Sequence, residues 1–152
     1  MRIKPQLLCA SIVFALGCRK PNPTVLPTVP LEPVLTFESV NKVNVKAFSD
    51  SLVFEVSYTD GDGDLGDFNR DSLSLFLMDS RSSSLYERYP IAPSVPANVK
   101  VAIQGKLRVV LDHTILLSSA SASETATFKI KVKDRAGRWS NEASSPTITI
   151  KP

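Results

Sequence analysis

Histidine occurs once in this chain, at His113, and cysteine twice, at Cys9 and Cys18. One histidine cannot build a histidine-rich metal centre. With no cysteine after residue 18, the bulk of the chain has no thiol for a disulfide, a zinc site or a nucleophile. No G-x-S-x-G, H-E-x-x-H or phosphate-loop pattern is present. His113 beside Asp112 reads as an ordinary surface residue, so an enzyme is not expected. Long apolar runs are also missing. The longest, Leu7 to Leu16, spans about ten residues, half of what a membrane helix needs. Neither charge sign dominates, with 18 basic residues against 15 acidic. No basic stripe is visible in the sequence, and nucleic acid is not an expected partner.

The N-terminus has what the rest lacks. Arg2 and Lys4 precede the short apolar run, which ends in Ala15-Leu16-Gly17-Cys18 and gives way to polar, proline-rich sequence. A basic n-region, an h-region and a small-residue boundary read as a signal peptide over residues 1–17. The Ala-Leu-Gly-Cys boundary resembles the lipobox of bacterial lipoproteins, with Ala15 where leucine is usual. The resemblance implies cleavage before Cys18, acylation of its thiol and amino group, and a membrane partner through that anchor. Dropping Arg2 and Lys4 then leaves 16 basic residues against 15 acidic. Residues 19–33 hold Pro21, Pro23, Pro27, Pro30 and Pro33. These forbid a helix interior and favour extended chain. Lipidated Cys18 and this tether form a second segment, 18–33, with a reach of roughly 45 Å at about 3.1 Å per residue.

From Val34 to Pro152 the apolar period is two. Strands are expected over 34–40, 51–58, 72–78, 85–91, 125–134 and 146–151, with 85–91 at an edge. In 51–58, Leu52, Phe54, Val56 and Tyr58 share one face. In 72–78, Leu73, Leu75 and Leu77 do. In 125–134, Ala126, Phe128, Ile130 and Val132 face inward and the alternating lysines face water. Residues 99–112 read as two runs broken at Gly105 by a hairpin or bulge. Residues 113–124 could hold one helical turn before a serine-rich loop. Seven to eight short strands with turns between them indicate an all-β, antiparallel β-sandwich.

The stretch "FKIKVKDRAGRWSNEASSPTITI" resembles the last hairpin of bacterial immunoglobulin-like and fibronectin-III-like domains, with Arg138 where asparagine is commoner. Lipobox, proline spacer, "YTDGDGDLG" and this hairpin together look like a family of small lipoproteins of the Bacteroidetes type. The resemblance implies an immunoglobulin-like sandwich over 34–152 and a lipid-anchored envelope protein; a monomer is expected. It points to the outer membrane, with the periplasmic face slightly favoured over the cell surface because Arg19-Lys20 is not the acidic export cluster of that group.

Three of the six glycines fall within Gly61 to Gly66, interleaved with Asp60, Asp62, Asp64 and Asp67. Four close carboxylates repel one another and call for a counter-ion, a raised pKa or full solvation. Calcium suits such a loop, since it takes six to eight oxygens in irregular geometry. The spacing begins like an EF-hand, but Leu65 sits where that loop needs glycine and Asp71 where it needs glutamate. The loop reads as an aspartate-rich calcium site or as a plain solvated turn. In an immunoglobulin-like topology the turn that starts at Asp134 lies at the same pole, which makes Asp134 a candidate fifth ligand. Trp139 is expected to plug the core or cover that turn. With Tyr86 and Tyr89 it is also a candidate contact for a glycan or an envelope protein. The expected function is a non-catalytic binding or structural module, with a carbohydrate-binding module as the alternative.

Overall fold

The computed structural model describes residues 28–152. The expected signal peptide over 1–17, Cys18 and most of the expected 18–33 tether lie outside the described residues. Among the described residues there is no helix, and the expected helical turn after His113 is a loop. Ten strand segments follow in order: β1 (Val34–Val40), β2 (Asn44–Lys46), β3 (Leu52–Asp60), β4 (Leu73–Asp79), β5 (Tyr86–Pro90), β6 (Ile103–Leu111), β7 (Glu124–Ala126), β8 (Phe128–Val132), β9 (Ala143–Ser144) and β10 (Ile148–Lys151). Only Thr127 separates β7 from β8, so the two form one chain direction that changes neighbours.

The pairing orders are β1-β3-β6, β5-β4-β8-β9 and β2-β10-β7. All pairs are antiparallel except β2 with β10. The sheets stack as an all-β sandwich. Period two sets the core: Leu52, Phe54, Val56 and Tyr58 from β3 meet Phe128, Ile130 and Val132 from β8, with Leu75, Leu77, Ile148 and Ile150. Phe54 and Phe128 bring ring centroids to 5.4 Å across the layers.

Two expectations are corrected. Gly105 breaks nothing, because β6 runs unbroken through it in register with β3. Gly105 stands opposite Tyr58, and a Cβ there would come within 2.8 Å of the tyrosine hydroxyl, so glycine makes room for that ring. Leu73 is not in the core but 39% exposed. Leu73 and Leu75 oppose the adjacent Pro90 and Tyr89, which leaves Ser74 as an extra, bulged residue. A bulge shifts the alternation by one, so Leu73 falls on the outer side.

The serine-rich loop after β6 is held by charge. Glu124 accepts the backbone N–H groups of Leu117 (3.0 Å) and Ser118 (2.8 Å). Arg81 bonds Asp79, Glu124 and the Ile115 carbonyl. The opposite pole is where the chain enters. Val34 pairs with Thr59 at the end of β3, and Asn141 brackets Leu35 by accepting its N–H (2.8 Å) and donating to its carbonyl (2.9 Å). Before that, the carbonyls of Val29 and Pro30 lie so close to Gly61 that a Cβ there would be 2.6 and 2.4 Å from them. The lead-in, the aspartate loop and the last hairpin therefore meet at one end of the sandwich.

Candidate metal centre

β3 ends at Asp60, its last inward-facing residue, and the chain then curls back over the end of the core. Gly63 (φ 73°) and Gly66 (φ 84°) take the left-handed conformations the curl requires, which side chains resist. Leu65 between them is buried and seals the core beneath the loop. Asp60 has no exposed surface, and Asp62 and Asp64 are partly buried. The loop is not spread in solvent.

Each of the three carboxylates uses one oxygen and keeps the other. Asp60 Oδ2 accepts the Leu65 N–H at 2.8 Å. Asp62 Oδ2 accepts from Arg138 Nη2 at 2.7 Å. Asp64 Oδ2 accepts from Arg138 Nη2 and the Ala136 N–H, both at 3.1 Å. The three Oδ1 atoms are buried and have no hydrogen-bond partner. One carboxylate oxygen from each residue lies within 4.8 Å of those of the other two. Oxygens across a calcium ion at about 2.4 Å each are about 4.8 Å apart. The group could hold a metal ion.

The electrostatics run the same way. Burial pushes the Asp60 carboxyl above its ordinary range despite the Leu65 hydrogen bond. Burial, with the charges of Asp134 and Asp62, pushes Asp64 up as well. At Asp62 the burial penalty is outweighed by the hydrogen bond and charge of Arg138, and its pKa falls. Asp134 is buried and accepts from Arg138 twice, at its backbone N–H and at Nε, both 2.7 Å. Three carboxylates, those of Asp62, Asp64 and Asp134, thus share one guanidinium, and Asp60 lies beside them. In the sequence Arg138 stands out only as a departure from the asparagine usual in the resembled hairpin. No local pattern there indicates which basic residue will fold back over the loop.

The remaining candidates are dispersed. Asp134 adjoins the three-aspartate group with both oxygens engaged by Arg138. Asp67 lies further along the loop, where its Oδ1 accepts the Asn69 N–H at 3.0 Å in a local turn. That hydrogen bond leads the effects that lower its pKa. Trp139 does not plug the core. It is 43% exposed, and its ring meets Phe76 edge-on at 5.0 Å on the outer face of the β5-β4-β8-β9 sheet. Tyr86, 50% exposed, lies on the same face. Tyr89 is on the inner side and donates to the Val110 carbonyl at 2.7 Å. His113 is exposed and borders a cavity of about 280 Å³ at the pole away from the aspartates, with Asp79, Ser84 and Thr114. The Thr114 hydroxyl there is buried with no hydrogen-bond partner, so it forms no base–nucleophile pair with His113.

Models of protein families, curated proteins and solved structures were compared with the chain, and none matches it.

Proposed function

We propose that this chain is a lipid-anchored cell-envelope protein whose sandwich is a non-catalytic binding or structural module, stabilised by calcium at Asp60, Asp62 and Asp64. The carrying observation is the trio of buried, unpartnered Oδ1 atoms on three converging carboxylates. Buried polar atoms are seldom left without a partner, because each costs on the order of 1–3 kcal/mol. A hard cation satisfies all three at once and offsets the repulsion that Arg138 balances only in part. Magnesium suits the site less, since it needs a near-ideal octahedron at about 2.1 Å. The remaining coordination would come from water or nearby backbone oxygen.

An immunoglobulin-like arrangement is the reading that accommodates the strand orders. β1-β3-β6 corresponds to strands A, B and E, and β5-β4-β8-β9 to C′, C, F and G. The aspartate loop is then the B–C connection and the Asp134 turn the F–G connection, neighbours at one end. The membrane anchor at Cys18, and the outer membrane as its site, rest on the lipobox resemblance.

The deciding experiment is calorimetric titration of the chelator-stripped protein with calcium, alongside thermal unfolding. One ion per chain and a rise in melting temperature are expected. A ligand that binds only the folded state adds about 2.7 kcal/mol at a hundredfold excess over Kd. No heat and no shift at about 5 mM calcium, well above the weak extracellular range, would dismiss the site. A second reading, a carbohydrate-binding module, is favoured by one observation: Tyr86 and Trp139 are both exposed on one sheet face.

A further inference from the structure

The outer face of the β5-β4-β8-β9 sheet carries a row that the sequence disperses over three strands. Arg88 on β5 pairs directly with Phe76 on β4, and Phe76 with Lys131 on β8. Lys133 pairs with Trp139 in an isolated bridge just beyond β8. The aromatic rings hold the cations in place. The Arg88 guanidinium lies 5.9 Å from the Phe76 ring and 5.8 Å from that of Tyr86. The ammonium groups of Lys131 and Lys133 lie 5.3 and 5.6 Å from the Trp139 ring. Such contacts are worth about 0.5–1 kcal/mol each at exposed sites. Among the described residues none of the three cations forms a salt bridge, whereas Lys129 on the same face is paired with Glu142. Cations from β5 and β8, the strands on either side of β4, are thus gathered about Phe76 and Trp139 and left without an acidic partner on a near-neutral chain.

We propose that this cation-and-aromatic face docks an anionic polysaccharide, with Arg88, Lys131 and Lys133 taking its acidic groups, the half-exposed Tyr86 lying against a sugar ring, and Trp139 holding the two lysines in place. The proposal rests on the carbohydrate-binding reading and adds the charge of the ligand. Charge complementarity selects an anion, and an open sheet face in place of a pocket selects an extended chain. Single-stranded nucleic acid would need bare aromatic planes for its bases, but Trp139 has two ammonium groups at its ring and Phe76 against it. A lipid surface would need apolar side chains standing beyond the charges, and the row supplies aromatic rings and cations instead.

Affinity electrophoresis of the full chain tests this with two anionic polymers, polygalacturonate and dextran sulfate. Their neutral counterparts are methyl-esterified polygalacturonate and dextran. Retardation by at least one anionic polymer and by neither neutral one is expected, weakening with salt. Lys131→Gln with Lys133→Gln should weaken it by about tenfold, and Trp139→Ala should weaken it too. Lys106→Gln with Arg108→Gln, exposed on the other sheet, should change nothing. If Trp139→Ala lowers the melting temperature, the double lysine variant decides alone. Equal retardation by the neutral polymers would overturn the anionic proposal and leave the carbohydrate reading standing. No retardation by any of the four would remove both. Equal losses in the Lys106/Arg108 variant would mean diffuse charge attraction. Tighter binding to oligothymidylate or to anionic vesicles would assign the face to nucleic acid or lipid.

Discussion

Asp60 is a carboxylate at the end of a core strand, with no exposed surface and one oxygen unpartnered. Its position is tolerable because the Leu65 amide donates to the other oxygen, yet burial still pushes its pKa up. Asparagine has nearly the same shape, can still accept from Leu65, and carries no charge to desolvate. Asp60→Asn is therefore expected to raise the melting temperature of the metal-free protein at pH 7 and to abolish its response to calcium. Scanning calorimetry with chelator and then with calcium reads both. A variant less stable than the parent in chelator would mean that the ionised carboxylate is needed without any metal. Arg138 has the converse role. Arg138→Met removes the guanidinium bonded to Asp62, Asp64 and Asp134, so the metal-free protein should unfold earlier and calcium should recover more than it does in the parent.

At the scale of strands, the alternation in β8 gives a direct contrast. Phe128 is buried against Phe54, while Lys129 is on the outer face in an exposed pair with Glu142. Phe128→Ala should cost about 3–5 kcal/mol. Lys129→Ala should cost under about 0.5 kcal/mol. Comparable losses in a urea titration would mean that the register is different. The start of β1 depends on Asn141, whose amide brackets Leu35 on both sides. Asn141→Ala leaves a part-buried N–H and C=O unpaired and should cost about 1–3 kcal/mol. Exchange of the Leu35 amide should accelerate more than that of Ile130. Most of these strands were legible because one face of each is buried and the other wet, which imposes period two. Two features were not. Gly105 reads as a break unless its opposite neighbour is known to be Tyr58, and the Ser74 bulge shifts Leu73 outward with no mark in the sequence. The aspartates were legible as a cluster from spacing alone. The capping of Asp62 and Asp64 by Arg138 depends on contacts 76 and 74 residues apart in sequence.

Across the whole molecule, the lead-in, the aspartate loop and the last hairpin share one pole, so the charge state of the loop should govern the stability of the entire sandwich. Asp60 and Asp64 have folded pKa values above their ordinary value of 3.8. Between 3.8 and those raised values the folded state binds more protons than the unfolded chain, so stability falls as pH rises through that window. The metal-free protein should therefore gain stability as pH falls through that window. Asp62 and Asp67 act oppositely. Their folded pKa values are lowered, and the stability they contribute is lost only as pH falls below the ordinary carboxylate range. Calcium bound at the proposed site should reverse the first trend, because it would bind the ionised carboxylates and compete with the protons that burial favours. Its stabilising effect should be largest at neutral pH and shrink as pH falls through the raised values of Asp60 and Asp64. Melting temperatures measured from pH 7.5 to 4, with calcium and with chelator, should form two curves that converge on the acid side. Curves that stay parallel to pH 4 would mean that calcium acts somewhere other than on these carboxylates.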